Sequence, residues 1–226
     1  MRLTPSLKLG LIAFLAVDLA LAFVFGALYF LRSDLKVEEE LRNMGATIYK
    51  EPFQIQAFEL LDQNSRPYVS EDLKGKWSLI FFGFTSCPDI CPITMAELKK
   101  FADLWSDVES SKELDIILAT VDPNNDDSNA LKKYLANFSP NFIGLTGHKL
   151  DLAGLAESLF VGFGDPAATS NQLPGHGAVK GPENSAIDHS SHISVISPEA
   201  QLFAVIRPPH RARDLLQAVE LIIASH

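Results

Sequence analysis

Cys87 and Cys91 are the only cysteines in the 226-residue chain. Their spacing of four puts both side chains on one helical face about one turn apart. A helix N-terminus at that point favours the anion of a sulfur placed there. Soft thiolates select Cu(I), zinc or iron–sulfur chemistry, and two are too few to hold a cluster. Copper, zinc or a dithiol/disulfide couple therefore remain. Two Cα atoms about 6 Å apart lie inside the disulfide range, so Cys87 could attack a target disulfide and Cys91 resolve the mixed disulfide. The pair does not serve stability, because the loop it would close is tiny. Pro88, Asp89 and Pro92 around it predict an exposed helix start, with Ser86 or Cys87 as cap and Pro88 in the first turn.

A trigonal metal site needs a third ligand, and the chain offers His148, His176, His189, His192, His210 and His226. His226 falls at a terminus expected to fray, and His148 in a polar turn. His210, beside Pro208 and Pro209, is expected on a solvated surface. His189 and His192 differ from these, because they stand at the entrance to a late strand that a sheet can bring beside Cys87. Spacing alone leaves both as candidates. Met95, four residues after Cys91, offers a thioether, although a methionine at helical spacing belongs more often to a core.

The elements that must position these residues follow from periodicity. Residues 77–84, WSLIFFGF, are almost continuously apolar, as in a central strand covered on both faces. The spacing of Cys91, Met95, Leu98 and Phe101 marks a helix ending near Trp105. Strands are predicted over 114–121, 142–145, 191–198 and 201–206, and helices over 128–138, 149–160 and 211–224. Phe58 to Val69 reads as a hairpin turning at Asp62–Pro67, and 162–185 as a polar, Gly/Pro-rich loop. The order predicts a three-layer α/β domain with a mixed sheet whose last two strands are antiparallel.

Ahead of the domain, residues 9–31, LGLIAFLAVDLALAFVFGALYFL, are long enough as a helix to cross a bilayer, about 34 Å at 1.5 Å per residue. Asp18 costs about 2.5–3.5 kcal/mol there, against about 0.3–0.6 kcal/mol returned by each of fourteen Leu, Ile, Val and Phe residues. Arg2 and Lys8 before the span, and the acidic run after it, orient the N-terminus to the cytoplasm and the domain to the periplasm. The expected layout is a cytoplasmic end at 1–8, an uncleaved anchor at 9–31, a juxtamembrane linker at 32–50 and the folded domain at 51–226. A formal net charge of −9 without a basic patch argues against nucleic-acid binding.

Four segments together resemble one family: FFGFTSCPDICP at 81–92, Val121-Asp122-Pro123, FIGLTG at 142–147, and Ile187-Asp188-His189-Ser190. They are similar to the Sco/SenC family of membrane-anchored, thioredoxin-fold copper proteins. A generic thioredoxin-like domain would show Cys-x-x-Cys and no Asp-His-Ser. The resemblance implies a thioredoxin-like sheet with an added N-terminal hairpin and copper ligands at Cys87, Cys91 and His189, with His192 as a neighbour. It also implies assembly of the dinuclear copper centre of cytochrome c oxidase subunit II. Asn124-Asn125-Asp126 stands where the family commonly has an arginine, and Asn64-Ser65 replaces a usual turn glycine.

Two functions follow as expectations. One is a copper chaperone taking Cu(I) or Cu(II) from a periplasmic donor. The other is a thiol–disulfide oxidoreductase acting through Cys87 and Cys91 and reset by a thiol reductant. Phosphate-loop, His-x-x-x-His and serine-nucleophile chemistry find no motif.

Overall fold

The computed structural model describes residues 14, 17–25, 36–108, 112–162 and 191–226. The chain divides into two compact units, Met1–Asn43 and Met44–His226. In the first, residues 17–25 and 36–43 are helical, and Leu19, Phe23 and Phe25 are largely exposed. Most of the expected span 9–31 lies outside the described residues. Among those described, no helix is long and apolar enough to cross a membrane.

The second unit is a mixed six-stranded sheet with helices on both faces. Its strands are β1 (Ala46–Gln54), β4 (Trp77–Gly83), β5 (Leu114–Thr120), β6 (Ile143–Leu145), β7 (Ile193–Ile196) and β8 (Gln201–Ile206), and β2 (Glu59–Leu61) with β3 (Pro67–Val69) forms a separate hairpin. The spatial order is β1-β8-β7-β4-β5-β6. β4, β5 and β6 run parallel, while β7, β8 and β1 are antiparallel to their neighbours. The helices are α1 (Ile90–Ser106), α2 (Ser128–Leu135), α3 (Lys149–Ser158) and α4 (Ala212–Ala224). Every predicted strand and helix of the domain is present, and the last two strands pair antiparallel as expected.

β4 is buried along its whole length because both of its faces are covered. Ile80 and Phe82 point into a cluster with Leu60 and Tyr68 of the hairpin and Leu152 and Leu155 of α3. Phe81 and Gly83 point the other way, towards α1 and the ring of His210. Burial of a side chain such as Phe81 or Phe82 contributes about 1.5–3 kcal/mol. α1 buries Cys91, Thr94, Met95, Leu98 and Phe101, the stripe expected of a helix lying on a sheet. Glu97 of α1 accepts the Ala212 N–H at 2.8 Å, so one helix caps the first turn of another.

One strand was not anticipated from the sequence. The domain was expected to begin at residue 51, yet β1 starts at Ala46 and pairs with β8, with an irregularity between Ile48 and Phe53. Lys50-Glu51-Pro52 interrupts its apolar alternation. An edge strand accommodates that, because one of its sides makes no ladder bonds. In the hairpin turn, Ser65 adopts a positive φ of 60° where the resemblance expects glycine. Asp62 holds the turn by accepting the Asn64 and Arg66 N–H groups at 2.7 and 2.9 Å.

At Gly144 of β6, an added Cβ would lie 2.8 Å from Leu135 Cδ1 and 3.2 Å from Leu131 Cβ. The Leu135 methyl can rotate away, but a Cβ fixed to the α2 backbone cannot. Gly144→Ala therefore requires α2 to give way by a few tenths of an ångström. Its expected cost is about 1–3 kcal/mol, read as a lower urea midpoint with an unchanged slope.

Candidate metal centre

The chain leaves β4 at Gly83 and enters α1 at Ile90, so the six residues between them carry Cys87, and Cys91 follows inside the helix. The Cys87 N–H donates to the Phe84 carbonyl at 3.2 Å, closing a turn over 84–87. The helix begins at Ile90 with Asp89 as its N-cap residue, and the Asp89 side chain makes no capping bond. This corrects the expected start at Pro88. Cys87 sits in the loop ahead of the helix and Cys91 in its first turn. The cap is supplied by sulfur instead: the Cys91 N–H points to Cys87 Sγ at 3.4 Å.

The two sulfurs face each other, for the Cys91 side chain also hydrogen-bonds that of Cys87. Both are thiols and no disulfide joins them. Their surroundings differ. Cys87 is half-buried and Cys91 is fully buried, while Pro88 and Asp89 at the start of the helix are exposed as expected. Cys91 Sγ rests on the open face of Gly83, 3.0 Å from where a Cβ would stand, so a side chain at that position would crowd the sulfur at the end of β4. Burial pushes the Cys91 thiol well above the ordinary range. The hydrogen bond to Cys87 and the charge of Asp126 push the same way, while the Phe84 backbone pulls it down.

The structure also shows a residue that the sequence reading did not single out. Asp126, 1% exposed, lies in the turn between β5 and α2. Its Oδ2 accepts the Thr85 N–H at 3.0 Å and the Thr120 hydroxyl at 2.7 Å, and its Oδ1 accepts the Thr85 hydroxyl at 2.5 Å. The Asp126 N–H donates to the Asp122 carbonyl at 2.9 Å, and its own carbonyl accepts the Thr146 hydroxyl at 2.6 Å. Two local signals existed, an acidic residue just after a strand end and threonines closing β5 and β6. Neither reveals a partner forty-one residues away.

The histidines separate by position. His176 and His189 fall outside the described residues. His192 precedes β7, and its Nε2 lies 3.1 Å from the Leu159 carbonyl, so that nitrogen carries a proton and donates it. His210 is buried, contrary to its expected solvated position: Nε2 is 3.1 Å from the Ile206 carbonyl and Nδ1 is 3.4 Å from Thr94 Oγ1. Its place between β8 and α1, over the Phe81 ring, accounts for the burial. Burial lowers the pKa of both His192 and His210. His226 does not fray: its ring packs edge-on against Trp77 and its Nε2 is 2.9 Å from Glu199. His148 caps α3 by accepting the Leu150 N–H at 3.3 Å, and Met95 is fully buried core. Among the described residues, no group of three or more His, Cys, Asp and Glu side chains could hold a metal ion by itself.

Register shows where a third ligand could come from. Phe81 of β4 lies opposite Ile193 of β7, so the chain enters β7 at the same sheet end from which the cysteine loop leaves. Fold and site together define a mixed α/β domain with a cysteine pair at the carboxyl end of its central parallel strand. Residues 47–224 match the SCO1/SenC family, to which this chain belongs. A protein of Stutzerimonas stutzeri that carries copper binding in its name is 35% identical over 170 residues, 75% of this chain and 76% of that one. A SCO2-like protein of Rickettsia conorii is 36% identical over 183 residues, covering 80% and 82% of the two chains. The structure of yeast Sco1 with copper bound superposes with a TM-score of 0.65 at 27% identity, over 77% of this chain and 91% of that one.

Two measurements follow from this geometry. At pH 8, Cys91 is expected to alkylate with iodoacetamide at least about tenfold more slowly than Cys87, read by mass spectrometry of the separate peptides, because it is buried and little of it is thiolate. The second concerns acid stability. His192 and His210 bind protons less readily folded than unfolded, so stability is complete above the unfolded pKa near 6.5 and falls as pH drops below it. Urea midpoints should therefore fall between pH 7 and pH 5, and His210→Gln should flatten that limb.

Proposed function

We propose that this chain is a membrane-anchored copper chaperone. It holds Cu(I) between the thiolates of Cys87 and Cys91 with His189 as third ligand, and delivers it to the dinuclear copper centre of cytochrome c oxidase subunit II. The observation that carries this reading is the convergence of the two sulfurs at the sheet end where the chain enters β7. His189 precedes Ser191 by two residues, within about 7 Å of it at full extension. Two soft thiolates and an imidazole suit a monovalent copper ion and leave it open to incoming cysteines. Family membership, the copper-bound yeast relative and the Stutzerimonas protein support copper as the cargo.

The anchor at 9–31, with the domain in the periplasm, completes the proposal. Exposed Leu19, Phe23 and Phe25 on the helical stretch 17–25 support it, since water does not favour such a surface. A periplasmic copper donor would load the site. Cys91 must lose its proton to bind the metal, so copper affinity falls as pH drops.

One observation favours a second reading. A half-buried Cys87 beside a buried Cys91 is the asymmetry of an attacking and a resolving thiol. The Cys87 thiolate would open a target disulfide, releasing one target thiol and leaving a mixed disulfide. Cys91 would then displace the second target thiol, ending as a Cys87–Cys91 disulfide that a thiol reductant must reopen.

The full chain, reduced and anaerobic in detergent, is titrated with Cu(I) against a chromogenic chelator. One copper per chain is expected, with two sulfur ligands and one nitrogen by X-ray absorption. His189→Ala is expected to lose the nitrogen and at least about tenfold in affinity, and Cys87→Ser to lose tight binding. Copper binding indifferent to His189, or no tight binding at all, would transfer the function to disulfide exchange.

A further inference from the structure

Asp126 is the most heavily bonded buried carboxylate among the described residues near the pair. It joins three strand ends. Thr85, which donates to it twice, stands two residues beyond β4 and two before Cys87. Thr120 is the last residue of β5, and Thr146 directly follows β6. A carboxylate taken out of water is costly, and well-packed apolar residues stabilise a core at least as well. Its value therefore lies in what it fixes. Three donors converging on one rigid acceptor set the path of the chain at Thr85, and the turn that brings Cys87 Sγ onto the first turn of α1 starts one residue earlier, at Phe84.

We infer that Asp126 is a positioning residue for the cysteine pair: through Thr85 it holds the 84–89 loop so that the two sulfurs meet. Without that anchor the loop samples other paths, and bringing both sulfurs onto one metal ion, or into one disulfide, costs the entropy of ordering it. A neighbouring group supports the shared compartment. The Tyr134 hydroxyl is buried with no hydrogen-bond partner among the described residues, and besides burial it is the charges of Cys91, Cys87 and Asp126 that disfavour its ionisation. The inference rests on the reading above only in that the two thiols act as a unit.

A copper-free measurement tests it. The pair is equilibrated with glutathione: two thiols give up two electrons and two protons, glutathione disulfide takes them up as two thiols, and a Cys87–Cys91 disulfide forms. The equilibrium constant is the effective concentration of one sulfur at the other. In the full chain, Thr85→Val keeps the backbone N–H but loses the hydroxyl, and Asp126→Asn loses the charge and one acceptor oxygen. Both are expected to lower the effective concentration by about tenfold or more, while Thr85→Ser stays within about twofold of wild type. Leu215→Ala, in the buried face of α4, reports on general destabilisation and is expected to leave it unchanged. Wild-type values in Thr85→Val, or an equal loss in Leu215→Ala, would overturn the inference, and Thr85→Val decides it should Asp126→Asn not fold. Cu(I) titration of the same proteins separates the two readings. A wild type that binds no copper overturns the chaperone and leaves the positioning role standing, provided that the effective concentrations fall as stated.

Discussion

A carboxylate removed from water must find its hydrogen bonds in the protein, and at Asp126 that requirement ties together the ends of β4 and β5, while the backbone carbonyl of the same residue holds the end of β6. Thr85, Thr120 and Thr146 bring their donors to one residue, so the carboxyl ends of β4, β5 and β6 cannot shift independently. The parallel half of the sheet therefore closes as one rigid rim. The cysteine loop is suspended from that rim at Thr85 and from α1 at the Cys91 N–H. Gly83 completes the arrangement by leaving room for the Cys91 sulfur against the sheet.

The change of direction in the sheet brings the second half of the site to the same place. Parallel strands carry their loops to one end, and an open α/β sheet places its chemistry there. β7 enters antiparallel beside β4, so the segment before it arrives at that same end. His192 sits at this junction and donates to the Leu159 carbonyl just past α3. That bond ties the entry of β7 to the helix on the opposite face from α1. It also gives His192 a role in holding the strand start, distinct from the ligand role that the resemblance assigns to its neighbour three residues earlier.

What was legible in the sequence was what periodicity and turn chemistry encode locally. The apolar run of β4 and the stripe of α1 each announced their element, and the Asp62 turn announced the hairpin. β1 was not legible, because Lys50, Glu51 and Pro52 break its alternation and its place is set by pairing with β8, some 150 residues away. The helix start was misplaced by two residues because Pro88 suits a first turn. The chain instead uses the residues from Phe84 to Asp89 to turn, and caps the helix with the Cys87 sulfur. His210 was misjudged for a related reason: two prolines beside it signal surface, and only its contacts with Thr94 of α1, Ile206 of β8 and the Phe81 ring bury it. Asp126 was visible only as part of the turn 124–126, which lacks the arginine common in the family, and its bonds to Thr85 and Thr120 are contacts that spacing does not reveal.

The unequal burial of the two cysteines bears on how cargo could leave. Under the proposed function, a target thiol can reach the metal only on the side where Cys87 is accessible, so exchange begins there while Cys91 still holds the ion. Cys91 then faces two alternatives, a thiolate paired with copper or a neutral thiol in an apolar pocket, because an unpaired thiolate is disfavoured by burial, by its neighbour's sulfur and by Asp126. Loss of copper is therefore tied to uptake of a proton at Cys91. The same charge that holds the loop in place thus also raises the cost of an empty thiolate, and positioning and release draw on one buried group.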